Sequence, residues 1–400
     1  MLSHLQRHIV LLCFLGFATG GWADEISGYN LRVGTQTFSP KYQFTTNSAL
    51  VETAEAIQEM GSDIIKFYLG RDYPARDGVS AATGFTNLVS LAANEASVRR
   101  VFDMPFRHYL LWAYSFSSRQ DAGWKEGFGV VEQKKEYDEI HALACYFLTH
   151  YNNSGKSFYL GHWEGDWYLL PNYNTATNPA TADIRGMIDW LNIRQQAVDD
   201  AMRKVAHSNV AVYAYAEVNR VRDAMENSAS QRLVNAVLPA VTNLDFVSWS
   251  SYDGMNLPVQ DLYATLDYIN AHLSTNKAAA ISGKRVFIGE YGWGTENNDA
   301  QEAASRSYIR RLLPWGVRFI LFWEMYDNEG KAFWLIDKKG EQTPCYFLHK
   351  RFLRESRKAV SRFVKENGRE PTDEEFVRLA IPFLERPRES LMLTEPEIRQ

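Results

Sequence analysis

Three observations in the 400-residue sequence together predict a (β/α)8 barrel. Eight short runs of β-branched and aromatic residues alternate with stretches of helical periodicity, as parallel strands joined by helical crossovers require. The repeats occupy about 330 residues, which suits such a barrel with enlarged loops. No glycine-rich nucleotide-binding fingerprint follows the first predicted strand, and this disfavours a doubly wound open sheet, the main alternative.

Each element is predicted from its own residue pattern. Strands are short apolar runs, and helices are longer stretches in which apolar residues recur every three to four positions. The predicted strands are residues 30–38, 63–70, 107–116, 157–167, 209–219, 245–254, 285–294 and 318–328. The predicted helices are residues 48–60, 85–102, 130–151, 182–207, 231–241, 259–273, 300–313 and 346–354, with a hairpin at 332–342. Residues 24–355 therefore form the predicted barrel.

Composition narrows the class of protein. With 46% hydrophobic residues, the chain can bury a large core. The formal net charge is -5 and no strongly basic block occurs, so the sequence predicts no nucleic-acid partner. The 11 tryptophans and 21 tyrosines exceed what a core needs and favour a surface that stacks against sugar rings or other flat ligands.

The first 23 residues have the pattern of a signal peptide. Arg7 precedes an apolar run at 9–17, and small residues lead to a cleavage site after Ala23. The run is too short to span a bilayer and no later run is long enough, so we expect no membrane span. The expected product is secreted or periplasmic.

The cysteines are expected to be free thiols. Cys145 lies on the third predicted helix, and Cys345 lies at the start of the eighth. These helices are not neighbours in the outer ring of a barrel, so the two side chains should be too far apart for a disulfide.

Residues 356–400 differ in composition from the rest of the chain. They contain nine basic and nine acidic residues, and residues Thr372 to Glu375 have the capping-box pattern that begins a short helix. We expect a charged helical extension packed on the exterior of the barrel; a partner-binding module is the alternative.

The carboxyl ends of the predicted strands carry mainly carboxylates and aromatic rings, and functional groups of such barrels gather there. The seventh strand, RVFIGEYGWG at 285–294, places Glu290 on the same face as Val286 and Ile288. A carboxylate buried without a partner is costly, so Glu290 is expected at the mouth of a site. No serine nucleophile elbow, phosphate-binding glycine loop or histidine-rich metal pattern is present, and we expect no metal or cofactor.

Two carboxylates between flat aromatic walls indicate glycoside hydrolysis, in which one acid protonates the leaving oxygen and the other attacks or activates water. The predicted catalytic pair is Glu164, after the fourth strand, and Glu290. The predicted substrate-binding residues are Trp112, His162, Trp163, Asp166, Trp167, Glu217, Asn219, Trp249, Tyr252, Tyr291, Trp293 and Trp323.

This arrangement resembles the retaining (β/α)8 glycoside hydrolases of clan A over residues 29–355. Glu164 and Glu290 are similar to the acid/base and the nucleophile of that clan. Trp323 resembles the tryptophan that forms the floor of the sugar subsite, and Tyr252 resembles the residue that hydrogen-bonds the nucleophile. Trp163 stands where clan members usually carry an asparagine that contacts the sugar 2-hydroxyl.

The resemblance implies different ionisation states for the two glutamates. Glu290 must be ionised to attack, so it needs a donor such as Tyr252 or a basic neighbour. Glu164 must begin protonated, and desolvation by Trp163 and Trp167 would raise its pKa. Glu217 is interpreted as an orienting residue, with a structural role as the alternative.

Parity places Trp323 and Glu324 on opposite faces, so only one of them should point into the barrel. Two functional alternatives remain open from the sequence. They are a non-catalytic carbohydrate-binding barrel and a metal-dependent hydrolase or lyase.

Overall fold

A computed structural model describes residues 28–73, 84–117, 123–125 and 127–385. Eight parallel strands pair in sequence order and close into a barrel, which confirms the predicted fold. The strands are β1 Val33–Thr37, β2 Ile64–Leu69, β3 His108–Ala113, β4 Ser157–Gly161, β5 Ala211–Val218, β6 Phe246–Ser250, β7 Val286–Tyr291 and β8 Ile320–Phe322. Each predicted strand contains an observed one, and the excess residues lie in the loops that flank it.

Helices alternate with the strands around the barrel. In the described part of the chain, the helices are α1 Ala49–Met60, α2 Leu88–Asn94, α3 Ala96–Asp103, α4 Val130–His150, α5 Gly165–Leu169, α6 Thr181–Lys204, α7 Val221–Glu226, α8 Val259–Ala271, α9 Asn298–Leu312, α10 Pro344–Asn367, α11 Asp373–Ala380 and α12 Pro382–Glu385. Their ends follow capping rules: the Ser48 side chain accepts a hydrogen bond from the backbone of Val51 at the start of α1, and left-handed Gly61 ends that helix.

Three predicted elements differ from the structure. The helix predicted at 85–102 is divided into α2 and α3, because Glu95 leaves the helical conformation and its carboxylate caps the amide of Val98. The helix predicted at 231–241 is a π-helical segment, Leu233–Val237, followed by a 3-10 turn. The predicted hairpin at 332–342 is reduced to one antiparallel bridge, between Ile336 and Gln342.

Aromatic side chains fill the barrel below its carboxyl ends. Tyr159 of β4 lies 5.2 Å from Phe319, which precedes β8 on the opposite side of the barrel, and 5.1 Å from Tyr213 of β5 (ring centroids). Phe287 of β7 lies 5.5 Å from Phe319. Because these rings occupy the lower interior in the described part of the chain, the interior is open towards the end where the strands finish.

The carboxyl-terminal extension packs against the opposite end of the barrel. Helix α10 continues past the predicted boundary at residue 355, and the capping box at Thr372 and Glu375 begins α11. Phe376 is buried, and its ring centroid lies 5.0 Å from that of Tyr29. Arg32, just before β1, contacts Asp373 at 2.6 Å. The extension therefore covers the end where the strands begin.

Cys145 and Cys345 are both free, as predicted. The predicted signal peptide, residues 1–23, lies outside the described residues. Among the helices that the structure describes, none is long and apolar enough to cross a membrane.

Candidate active site

A cavity of about 380 Å³ opens at the carboxyl ends of the strands. Seven of the residues predicted from the sequence line it together: Trp163, Glu164, Trp167, Asn219, Tyr252, Glu290 and Trp323. The other lining residues are Phe38, Arg220, Asp253, Asn328 and Glu329. The two glutamates predicted to be catalytic thus share one cavity.

Glu290 is the penultimate residue of β7 and is only 3% exposed. The Tyr252 hydroxyl donates a hydrogen bond to Oε2 at 3.3 Å, and the Lys66 ammonium lies 3.6 Å from Oε1. Burial raises the pKa of Glu290 well above its usual value, and the Lys66 charge lowers it. Both kinds of expected partner, a tyrosine donor and a basic neighbour, are therefore present.

Glu164 follows β4 and immediately precedes α5, with 7% of its surface exposed. The indole N–H of Trp167 donates a hydrogen bond to its Oε2 at 2.6 Å. Burial raises the pKa of Glu164 to about 8, and the negative charge of Glu217 acts in the same direction. Trp167 therefore has two opposed effects, because its ring desolvates the carboxyl group while its N–H stabilises the charged form.

A buried polar group lies beneath the two glutamates. Glu217 of β5 accepts hydrogen bonds from Lys66 at 2.8 Å and from the Ser248 hydroxyl at 2.7 Å, both at Oε2. Its Oε1 accepts the backbone N–H of Glu164 at 3.2 Å. These contacts are consistent with an orienting or structural role for Glu217. The sequence also predicted that Glu217 binds substrate, but its side chain is fully buried and does not line the cavity.

Gly289 makes this packing possible. A Cβ atom at this position would lie 1.8 Å from Ser248 Oγ and 2.8 Å from Glu217 Oε2. The carbonyl of Gly289 also accepts a hydrogen bond from Lys66 at 3.1 Å. A glycine before Glu290 therefore lets β7 approach the polar group closely.

Aromatic rings form one wall of the cavity. Phe38 and Trp323 line it, and their ring centroids are 6.2 Å apart. Trp112 lies behind them, 5.9 Å from Trp323, and is 2% exposed. Its ring contacts the Lys66 ammonium, which lies 4.2 Å from the centroid. Trp112 thus supports the wall and the cation, whereas the sequence predicted that it contacts substrate.

His162 and Asp166 were predicted to bind substrate, and the structure gives them other partners. Both are fully buried. His162 Nε2 accepts the backbone N–H of Glu217, so Nδ1 carries the proton and donates to the Trp163 carbonyl at 3.0 Å. Burial lowers the pKa of His162 to about 4, which keeps the ring neutral.

The Asp166 carboxylate joins α5 to the residues after β5 and to the start of the π-helical segment. Its Oδ2 accepts the backbone N–H groups of Asn219 and Arg220, at 3.0 and 3.1 Å, and its Oδ1 accepts that of Leu233 at 2.6 Å. In return, the side chain of Asn219 accepts the Asp166 N–H at 3.1 Å. Asp166 therefore holds Asn219 at the cavity wall and does not itself line the cavity.

Three further predicted residues lie away from the cavity. Trp249 is fully buried and donates its indole N–H to Asp253 at 3.0 Å. Tyr291 is also fully buried, and its hydroxyl lies 3.1 Å from His349 Nε2. Trp293 lines a separate groove on the flank of the barrel, beside Tyr263. We reassign all three from sugar contact to packing, because their side chains do not reach the cavity.

The side chains of Trp323 and Glu324 diverge, as parity predicted. Trp323 lines the cavity, whereas Glu324 is fully buried elsewhere. Glu324 Oε2 accepts the backbone N–H of Phe38 at 2.8 Å, and Oε1 accepts that of Asn328 at 3.1 Å. Glu324 therefore positions two lining residues. The peptide bond between Trp323 and Glu324 is cis.

The sequence prediction missed five lining residues and the cation beneath them. One of the missed lining residues is Arg220. Its guanidinium forms an ion pair with Asp223 at 2.6 Å and lies 5.7 Å from the ring centroid of Trp167. Asp253 is another missed lining residue, and burial raises the pKa of its carboxyl group to about 6.

Lys66 could have been found from its sequence position, because a lysine within an apolar strand requires a buried acidic partner.

Within the described residues, no cluster of three or more histidine, cysteine, aspartate or glutamate side chains could hold a metal ion.

The barrel is structurally similar to glycoside hydrolases of families 5 and 39, which are clan A (β/α)8 barrels. A subfamily 18 member of family 5 from Streptomyces cattleya, in complex with GlcNAc, matches with a TM-score of 0.53 and 12% identity over 79% of this chain and 77% of the other. At this identity the similarity concerns the fold.

Two other matches have lower TM-scores. A family 39 glycoside hydrolase from Bacteroides cellulosilyticus matches at 0.47 and 13% identity, over 81% of this chain and 63% of the other. A family 5 xyloglucanase from Paenibacillus pabuli matches at 0.49 and 12% identity, over 89% and 99%. No protein-family model and no curated protein matches the sequence.

Proposed function

We propose that the protein is a secreted retaining glycoside hydrolase that cleaves a polysaccharide or an oligosaccharide. The observation that carries the proposal is the shared cavity of Glu164 and Glu290, bounded by tryptophan and tyrosine side chains. Paired carboxyl groups next to aromatic surfaces suit the cleavage of a bond between two sugar rings. The glycoside-hydrolase-like fold is in keeping with this chemistry, although a fold by itself does not determine function.

In the first step, Glu164 is the acid. A carboxyl group with a pKa of about 8 is protonated at neutral pH, so it can donate its proton to the leaving glycosidic oxygen. Glu290 attacks in its ionised form, which the Lys66 charge and the Tyr252 hydroxyl favour against the effect of burial. Its carboxylate bonds to the anomeric carbon and forms a covalent glycosyl-enzyme as the bond to the leaving group breaks. The aglycone departs with the proton from Glu164.

In the second step, Glu164 is the base. Its carboxylate now takes a proton from a water molecule, whose oxygen attacks the anomeric carbon and displaces Glu290. Each step inverts the configuration of the anomeric carbon, so the product retains that of the substrate. The Tyr252 hydroxyl, which donates to Glu290 Oε2, stabilises the carboxylate before attack and after release.

The test is a panel of polysaccharides and oligosaccharides incubated with the wild-type protein, Glu164→Ala and Glu290→Ala. Proton NMR of the first product then gives its anomeric configuration. We expect hydrolysis with retention by the wild type and loss of activity in both variants. A matched control is Glu59→Gln, which removes an exposed carboxylate on α1 and should leave activity unchanged. Inverted products, or full activity in either alanine variant, would refute the mechanism.

Binding without hydrolysis by the wild type, unchanged in Glu290→Gln, would instead indicate a carbohydrate-binding barrel. Sensitivity to chelators would indicate a metal-dependent enzyme. Export is tested separately by amino-terminal sequencing of protein recovered outside the cytoplasm, which should begin at Asp24.

A further inference from the structure

A buried ion pair lies directly beneath the two proposed catalytic carboxyl groups. Lys66 of β2 and Glu217 of β5 meet at 2.8 Å, and neither side chain has exposed surface. Lys66 also lies 3.6 Å from Glu290 Oε1. That oxygen is buried and accepts no hydrogen bond within the described protein. The Lys66 ammonium therefore lies close to two carboxylates, and it forms a hydrogen bond with that of Glu217 but not with that of Glu290.

The anion of the pair contacts the other side of the site. Glu217 Oε1 accepts the backbone N–H of Glu164, so the position of the Glu164 main chain depends on Glu217. His162 fixes the backbone of Glu217 from the neighbouring strand, and Ser248 fixes its carboxylate. The pair is thus rigidly held between the two glutamates that line the cavity.

We propose that the Lys66–Glu217 ion pair decides which of the two cavity carboxyl groups carries the proton. Lys66 favours negative charge on Glu290, and Glu217 disfavours it on Glu164. Neither residue reaches the cavity, so both act as positioning residues through their neighbours. This inference rests on the proposed function, because it assigns the proton in the resting state that a retaining mechanism needs.

Other charged and titratable groups also face these carboxyls. Around Glu290 they are Glu164, Glu217, Lys66, Tyr252, Tyr215 and the buried Glu324; around Glu164 they are Glu290, Glu217, Lys66 and Tyr252. Among them, Lys66 is the cation, and it lies within ion-pair distance of Glu217 and of Glu290, at 2.8 and 3.6 Å. Lys66 lowers the pKa of both carboxyl groups and Glu217 raises the pKa of both. The assignment therefore rests on geometry: the Lys66 ammonium lies 3.6 Å from Glu290 Oε1, and Glu217 Oε1 contacts the backbone N–H of Glu164.

The experiment measures the two titrations directly and needs no substrate. Full-length protein is labelled with 13C at the glutamate side-chain carboxyl carbon, and carboxyl chemical shifts are followed by NMR against pH. Glu164→Gln and Glu290→Gln assign the two signals. Lys66→Met should raise the pH at which Glu290 titrates by about 1 to 3 units, and Glu217→Gln should lower that of Glu164 by about 1 unit.

Three further variants make the result decisive. Lys66→Arg keeps the charge and should restore most of the Glu290 titration. Glu136→Gln breaks a different buried ion pair, with Arg194, and should move neither signal. If Lys66→Met does not fold, the double variant Lys66→Met/Glu217→Gln removes both charges without leaving one unpaired, and together with Glu217→Gln it carries the test.

The inference is overturned if Glu164 and Glu290 titrate as in the wild type in folded Glu217→Gln and in the folded Lys66 variant or double variant. The pair would then be purely structural. This outcome is independent of the glycan panel, because a protein that hydrolyses nothing still gives the two titration curves. Failure of the proposed function and failure of this inference are therefore distinguishable.

Discussion

Two buried ion pairs in this barrel have the same burial but different surroundings. Arg194 and Glu136 meet at 2.7 Å between α6 and α4, outside the strands. Arg194 Nη2 donates to the carbonyls of Ala113 and Gly161, and the Ser115 hydroxyl donates to Glu136. Both charged groups of this pair therefore have hydrogen-bond partners in the surrounding barrel.

Lys66 and Glu217 lie inside the ring of strands, under the cavity. There, not every buried polar atom has a hydrogen-bond partner within the described protein. The neighbouring Glu290 Oε1 is buried without a hydrogen bond in the described protein, and Glu164 has a raised pKa. Unmatched groups are expensive in a core, so a chain retains them where chemistry uses them. The two pairs therefore differ in what surrounds them: the Arg194–Glu136 pair is enclosed by hydrogen-bond partners, whereas the Lys66–Glu217 pair borders a carboxylate oxygen that has none in the described protein.

The largest expected effect is a contrast between two variants: Glu290→Gln should lose activity and keep its stability, whereas Glu136→Gln should lose stability and keep its activity. Glu290→Gln should reduce kcat/KM by at least about a thousandfold, because it removes the proposed nucleophile, while the melting temperature stays the same or rises. Glu136→Gln should lower the free energy of unfolding by about 3–5 kcal/mol, because Arg194 is left buried without its anion.

This contrast is measured by substrate kinetics and by urea unfolding of the same preparations. Glu136→Gln should keep the wild-type kcat/KM per folded molecule. The comparison fails if both variants lose activity equally, or if Glu290→Gln is the less stable of the two.

A smaller effect is expected from Gly289→Ala, which forces a methyl group against Ser248 and Glu217. Overpacking of this kind costs about 1–3 kcal/mol of unfolding free energy. The double variant Gly289→Ala/Ser248→Ala removes the nearest clashing atom, so it should recover part of the loss in a urea titration. No recovery would mean that the contact with Ser248 does not account for the cost.

The smallest effect is the alkaline limb of the pH–rate profile. Glu164 must be protonated to act as the acid, and its pKa of about 8 means that kcat/KM should fall about tenfold per pH unit above that value.

The raised pKa of Glu164 also affects stability. Because its folded-state pKa lies above the unfolded one, the contribution of Glu164 to the free energy of unfolding is present at low pH and is lost as the pH rises towards 8. Glu164→Gln should remove that part of the pH dependence of unfolding. A flat kcat/KM between pH 7 and about 10 would contradict the assignment of Glu164.

The barrel could be predicted because its information is local. Each strand is an apolar run, and the order of strands and helices alone indicates parallel closure. The helix predicted at 231–241 was wrong because its geometry depends on a distant contact. The Arg232 side chain donates to the carbonyls of Thr175 and Thr177, and this anchors the start of the segment. Periodicity does not contain that information.

The site was predictable only in part, for a related reason. Position at a strand end selected Glu164, Glu290 and Trp323, and all three line the cavity. The same criterion also selected His162 and Asp166, which do not line the cavity. Sequence position does not reveal that these two side chains already accept hydrogen bonds from backbone N–H groups. Lys66 was not assigned a role because its partner lies across the barrel, 151 positions later in the chain.

The packing of the carboxyl-terminal extension has a practical consequence. Phe376 and Asp373 contact residues that precede β1, so the extension and the cavity lie at opposite poles of the molecule. A chain coupled to a resin through this pole would present its open mouth to the solvent. Long, insoluble or branched glycans could then reach Trp323 without steric interference from the support.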